Sequence, residues 1–172
     1  MRQQPWATHV ATALGYSANE AVQVGGAAAL LGHMITDYPG APGPLGGLLA
    51  ALKDRAARFG DGLLVLASCD LVEPSSDWIA PLNKRLEQDS PNVVAYQSGD
   101  LWHPFPSLWR SDCFDSLLRH AEDGVRSLQE ALNRLGATGI PWPHGSDGPP
   151  QANTPEELET LLDHHASIGG RE

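Results

Sequence analysis

The run Gly62–Ser68 (GLLVLAS) is the most hydrophobic stretch of the chain and has no charge in it. A run of that length, bounded by glycine and by a polar turn, predicts a strand in the middle of a parallel sheet, covered on both faces. The segment before it predicts a helix: Leu45, Leu48, Leu49, Leu52 and Ala56 recur at i, i+3, i+4, i+7 and i+11, and Gly60 stops it. Ahead of that helix lie two shorter apolar runs, Ala21–Val24 and His33–Thr36, read as strands with a helical turn over Ala27–Leu31 between them. A short helix over Pro5–Leu14 precedes both.

Further along, Pro74-Ser75-Ser76 opens a helix with Trp78, Ile79, Leu82 and Leu86 on one side. Asn92–Tyr96 and Phe105–Arg110 predict two strands joined across Gly99–Pro104. Ser111 or Asp112 caps a helix through Leu117 and Leu118. Ser127-Leu128-Gln129-Glu130 and Thr154-Pro155-Glu156-Glu157 are capping boxes, the second with proline at the first helical position. Thr138–Trp142 predicts a last strand, Pro143–Gln151 a flexible turn, and the tail after His165 frays. Strands and helices alternate through the first half, so the expectation is a three-layer α/β domain on a mostly parallel sheet.

At 172 residues, with 41% hydrophobic side chains, the chain suits one domain with a single core. Its 21 acidic against 11 basic residues give a formal charge of −10, and lysine occurs only at positions 53 and 84. That balance argues against nucleic acid and anionic membrane surfaces as partners. Cys69 and Cys113 form no CxxC pair, and the uncharged stretch Ala21–Thr36 is too short and too glycine-broken for a membrane span. Without a signal-peptide pattern at the start, a soluble, reducing, cytoplasmic setting is expected.

In an open parallel sheet, ligands sit beyond the strand C-termini, and two acids fall there: Asp37 and Asp70. A carboxylate at that point can hold Mg²⁺ against phosphate oxygens, or it can cap a turn through its own backbone. The glycine-rich approach Pro42–Gly47 runs directly into a helix, which favours either an anion or a plain helix start with proline near its first position. His103-Pro104, between Trp102 and Phe105, offers a ring that can stack on or hydrogen-bond a ligand, or it forms a simple turn. His164-His165 lacks the companions of a zinc site, and neither GxxxxGK[ST], GxGxxG nor GxSxG occurs.

Five segments in order then resemble the MobA-like nucleotidyltransferases, among which the molybdenum cofactor guanylyltransferases are most similar. They are GPLGGLLAAL (Gly43–Leu52), LLVLASCD (Leu63–Asp70), WHPFPSLWR (Trp102–Arg110), GVRSLQEAL (Gly124–Leu132) and ANTPEEL (Ala152–Leu158). The resemblance runs from about Pro5 to the end of the chain and implies a Rossmann-like domain of the nucleotide-diphospho-sugar transferase type. The activity it implies is transfer of GMP from GTP to molybdopterin, with Mg²⁺ and release of pyrophosphate. Proteins of molybdoenzyme maturation are implied as further partners.

By motif, Asp70 matches the family's metal-holding aspartate and is the implied catalytic residue. Val24, Gly25, Asp37, Gly43, Pro44, Leu45 and Gly46, with Asp70, fall on the nucleotide side. His103, Pro104, Arg126, Ser127 and Asn153 fall on the side of the pterin substrate and the metal. Two departures stand out. The family's opening strand and its LAGGxSxRMGxDK loop have no counterpart here, since MRQQPWATHV resembles the helix that follows them. Gln151 also stands where Asn-x-Asn is common. The resemblance therefore implies one domain over residues 1–172, truncated at its N-terminus and short of the triphosphate loop. A non-catalytic relative that binds the cofactor or a partner, or a relative using CTP or another phosphate acceptor, is the alternative.

Overall fold

The structure is a computed structural model that describes residues 22–24, 33–41, 43–144 and 147–161, with the side chains of 22–24 and 33–34 left aside. The expected helix over Pro5–Leu14, the turn over Ala27–Leu31 and the tail after His165 lie outside the described residues.

Strands β1 (Val22–Val24) and β2 (His33–Ile35) pair in parallel, with Val24 opposite Ile35. Helix α1 (Pro44–Phe59) follows and leads into β3 (Leu63–Leu66). A 3₁₀ turn over Ser76–Trp78, capped by the Ser75 hydroxyl, introduces α2 (Ala80–Asp89). Strands β4 (Val93–Ser98) and β5 (Leu101–Arg110) form a hairpin turned at Gly99-Asp100. Helices α3 (Phe114–Glu122) and α4 (Leu128–Arg134) and strand β6 (Thr138–Ile140) follow. A last helix, α5, runs from 155 through 161, where the described residues end.

The main sheet has the order β3-β5-β4-β6. Its pairs β3–β5 and β4–β5 are antiparallel and β4–β6 is parallel. Alternation of side chains splits the core in two, as a half-and-half strand demands. Val93, Ala95 and Trp109 face α1, α3 and α4, where Leu45, Leu48, Leu49 and Leu52 meet Leu117, Ala121, Leu128 and Leu132. Val94, Tyr96 and Leu108 face the other way, against Trp78, Ile79, Leu82, Leu86 and Trp142. The result is the expected three-layer α/β arrangement, and each of these fully buried leucines contributes about 1.5–3 kcal/mol.

Two readings of single elements are corrected. The run at β3 is half-exposed, with Leu63 at 38%, and among the described residues its ladder partner is β5 alone. Among the described residues it is therefore an edge strand, not a central one covered on both faces. Gly62 and Ser111 exchange hydrogen bonds across the pair, so by antiparallel alternation the backbone groups of Leu63 and Val65 point away from β5. The Arg55 guanidinium donates to the outward Leu63 carbonyl at 3.2 Å. Ala56, the expected last residue of the α1 stripe, is exposed.

The β4–β5 hairpin is also longer than the sequence suggests, because its turn is two residues rather than six. The register carries the explanation. Ala95 pairs with Ser107, yet the next residue, Tyr96, pairs with His103. Pro104 and Pro106 have no N–H to give the ladder, so residues 104–106 bulge out of it. Ser107 stitches the bulge closed: its hydroxyl donates to the Pro104 carbonyl at 2.6 Å and accepts from the Trp109 indole at 2.7 Å.

Beyond the reach of β3, the outer edge of β5 is satisfied by a side chain. The Gln129 amide accepts from the Trp102 N–H at 3.1 Å and donates to the Trp102 carbonyl at 2.6 Å, copying a neighbouring strand. Asn133, one turn on, accepts from the Trp102 indole at 2.7 Å. Gln129→Ala leaves both backbone groups of Trp102 unpaired, at a cost of about 1–3 kcal/mol in urea unfolding; a loss below about 0.5 kcal/mol, the scale of an ordinary surface change, is incompatible with that role.

The two thiols should also separate by reactivity. Cys113 is buried, and burial, with Asp112 beside it, pushes its thiol up to about 12, whereas Cys69 is exposed. A disulfide reagent at pH 8 should titrate one thiol in the native protein and the second only after denaturation.

Candidate functional site

One end of the main sheet gathers the C-terminal ends of β3, β4 and β6 and the N-terminal end of β5. After β3, Ser68, Cys69 and Asp70 turn the chain away, and the Ser68 hydroxyl donates to Asp70 Oδ1. Asp70 is half-buried there. A segment distant in sequence crosses this turn. The Ala152 N–H donates to the Asp70 carbonyl at 2.9 Å, the Val72 N–H donates to the Pro150 carbonyl at 2.9 Å, and Leu71 and Gln151 form an antiparallel bridge. The Gln151 amide reaches the Ser68 oxygen at 3.5 Å. Asn153 follows at once, exposed, with its N–H held by Glu157 at 2.7 Å. The Thr154–Glu157 box is present in both directions and starts α5 at this point.

The same segment fixes His103. The Ser98 hydroxyl donates to the Asp147 carbonyl at 2.6 Å, and His103 Nε2 lies 3.0 Å from that hydroxyl. A hydroxyl has one proton, already committed to Asp147, so His103 donates to it through Nε2. Gly148 lies flat on this ring: a Cβ there would come within 2.3 Å of the imidazole. From Asp147 on, the stretch expected to be a flexible turn is thus a strap tying the Asp70 turn to the β4–β5 hairpin. Beneath it, Trp142 packs edge-on against Trp78 and Tyr96 at 5.2 and 4.8 Å. Asp70, His103 and Asn153 are bonded to this strap or form part of it, and Pro104 follows His103 with its carbonyl held by Ser107.

Asp37 opens a second region, the loop from the end of β2 into α1. The Tyr38 N–H donates to the Gly46 carbonyl at 3.1 Å, and the Gly47 N–H to the Gly43 carbonyl at 3.1 Å. The loop folds so tightly over the helix start that a Cβ on Gly46 would lie 1.5 Å from the Ala41 carbonyl oxygen. Gly43 precedes α1 without a side-chain cap, Pro44 occupies its first turn, and Leu45 is buried. Beside this loop lies a cleft of about 680 Å³, whose walls include Asp37, Tyr38, Ala50, Lys53 and Asp54.

Val24 ends β1, on a backbone paired with Ile35, which lines the Asp37 cleft, and Gly25 lies outside the described residues. Two of the expected positions lie elsewhere. Arg126 spends its guanidinium on the end of α3, donating to the Ala121 and Val125 carbonyls at 2.6 and 2.9 Å. The Ser127 hydroxyl caps α4 by accepting from the Glu130 N–H at 3.2 Å. Both are structural roles at the α3–α4 junction. Sequence reading missed Ser68, Ser98 and Gly148 altogether; a serine two residues before a strand-end aspartate was the available signal for the first.

The described residues hold no group of three His, Cys, Asp or Glu side chains able to cage a metal, and no helix long and apolar enough to cross a membrane. A single carboxylate with an unshared Oδ2 is what a Mg²⁺ completed by phosphate oxygens and water asks of a protein, so the donor set at Asp70 fits that ion.

The pattern of the MobA-like NTP transferase domain family matches residues 1–137. A molybdenum cofactor guanylyltransferase of Pseudomonas putida F1 is 30% identical over 130 residues, 76% of this chain and 64% of that protein. One of Pseudomonas fluorescens SBW25 is 31% identical over 128 residues, 72% of this chain and 60% of that protein. The chain thus spans 60–64% of the length of these relatives. The crystal structure of molybdopterin-guanine dinucleotide biosynthesis protein A from Archaeoglobus fulgidus superposes with a TM-score of 0.60 at 22% identity, covering 79% of this chain and 69% of that one. A protein of Aquifex aeolicus superposes at 0.56 with 14% identity, covering 72% and 63%. At such identities the superpositions speak for the fold alone. With most of its length matched by the family pattern, the chain belongs to the MobA-like NTP transferase domain family.

Proposed function

We propose that this chain is a nucleotidyltransferase domain of molybdenum cofactor biosynthesis that works in the cytoplasm and transfers GMP from GTP to molybdopterin. In that reaction the terminal phosphate oxygen of molybdopterin attacks the α-phosphorus of GTP. The bond to the β-phosphate breaks, and pyrophosphate leaves. Such chemistry asks a protein mainly for positioning and for neutralisation of phosphate charge.

The observation that carries this reading is the strand-end turn at Asp70, fastened on one side by Ser68 and on the other by the strap that delivers Asn153 and His103. Asp70 and Asn153 would hold a Mg²⁺ ion, whose chemistry there is charge neutralisation on the phosphates. Asp37 and the loop through Gly43, Pro44, Leu45 and Gly46 take the guanine nucleotide. His103, with Nδ1 turned from its bond to Ser98, and Pro104 meet the pterin. Arg126 and Ser127 act on this side through the α3–α4 junction, which Gln129 ties to Trp102, the neighbour of His103.

The decisive test is pyrophosphate release from Mg²⁺, GTP and molybdopterin by the purified chain. Asp70→Ala should lower the rate by about 10²–10³-fold, the scale of losing a preorganised charge at a phosphoryl centre. Its far-ultraviolet circular dichroism and melting temperature should match the unaltered protein. Undiminished turnover in that variant removes Asp70 from the mechanism. Molybdopterin binding without any pyrophosphate release by the unaltered chain would instead favour a non-catalytic binding module.

A further inference from the structure

The cleft beside Asp37 contains one of the chain's two lysines, and that lysine is aimed by an aromatic ring rather than by an acid. Lys53 Nζ stands over the Tyr38 ring, 5.3 Å from its centre. The ring is itself immobilised: it meets Phe114 edge-on at 5.7 Å, and the Tyr38 backbone bonds to Gly46 and to Ala41. With the ammonium over its face, Tyr38 is engaged in holding the lysine and is not a free stacking platform. The exposed Lys53 stem lies along this surface, as long cationic side chains do on apolar ground. Asp54, the residue next to it, is bonded through Oδ2 to Arg58 at 3.2 Å. The cleft therefore presents a cationic donor from Lys53 and an anionic acceptor from Asp37.

We propose that Lys53, positioned by Tyr38, reads the oxo group of an oxo-heterocycle whose neighbouring ring N–H and amino group face Asp37. This inference rests on the nucleotide reading of the Asp37 loop and assigns it the residue that recognises the base. A phosphate is the poorer fit. It would approach two carboxylates, Asp37 and Asp54, in a chain of net charge −10. A neutral ring edge, with an oxygen beside N–H donors, complements a lysine beside an aspartate without that repulsion. Cytosine reverses the pattern, since its ring nitrogen at that edge is an acceptor and would face the Asp37 carboxylate.

Guanine and pterin share the recognised edge, so the test uses both. Dissociation constants are measured by ligand-observed NMR for GMP, for purine riboside 5′-monophosphate, which lacks the oxo group, and for 6-hydroxymethylpterin. Lys53→Met should weaken GMP, the pterin, or whichever of the two binds, by about tenfold, the usual worth of one charge-assisted hydrogen bond. It should leave purine riboside monophosphate unchanged, and Lys53→Arg should recover part of the loss. Equal weakening of GMP and purine riboside monophosphate would make Lys53 a phosphate contact and overturn the proposal. GMP binding lost in Asp37→Asn but intact in Lys53→Met would leave the nucleotide reading standing and remove Lys53 from it. Failure of the unaltered chain to bind either ring would overturn both.

Discussion

The backbone of β5 is the constraint on which the main sheet depends. Among the described residues it is the only strand that reaches both β3 and β4, and a buried strand cannot leave its N–H and C=O groups without partners. Its ten residues solve this in three ways along one edge. β3 covers residues 107–110, the 104–106 bulge closes on Ser107, and Gln129 substitutes for a strand at Trp102. The prolines at 104 and 106 are therefore part of the ladder's design. They interrupt pairing where β3 has already ended, and the bulge brings His103 opposite Tyr96, where an unbroken register would leave it opposite Gly99.

That displacement is what lets a chemically useful edge form. Had β5 stayed in a single register with β4, Tyr96 would pair with residue 106, and His103 would have no place beside Ser98. With the bulge, His103 and Ser98 come together, and Asp147 and Gly148 close over them. The strap then continues to Asp70 through main-chain bonds that depend little on side-chain identity. Asp70 and His103 are thus coupled through seven residues of chain, Asp147–Asn153, fixed at both ends.

Much of this was legible in sequence where the signal is local. The α1 leucines at 45, 48, 49 and 52 are buried as their spacing demands, and Ser127 and Thr154 cap as read, whereas neither Ser111 nor Asp112 caps α3, which follows Cys113 without a side-chain cap. The Asp70 turn follows from a hydrophobic run ended by an acid. Illegible were the facts fixed by long-range pairing. Periodicity cannot tell an apolar edge strand from a central one, so the exposure of β3 was missed. Nor can composition show that Gly46 and Gly148 are needed for close approach, because the atoms they accommodate, Ala41 O and the His103 ring, are set by tertiary folding. The proline-driven bulge lay between these cases: two prolines in one strand were visible, but not how many residues they would expel.

The charge of the chain bears on how such a site could work. With ten more acidic than basic side chains, its overall field opposes a nucleotide triphosphate, and attraction at a distance cannot provide affinity. Of the eleven cationic side chains, several are spent on structure: Arg55 on Leu63, Arg58 on Asp54, Arg126 on α3 and Arg134 on Glu130. Under the proposed reaction, phosphate charge would be neutralised by an ion held at Asp70, and selectivity would come from contacts to the neutral part of the substrate. A carboxylate and an ammonium side by side can do this, because their fields nearly cancel at long range and act only on a ring edge already in the cleft. An acidic protein acting on an anionic nucleotide is thus consistent when recognition is directed at the base.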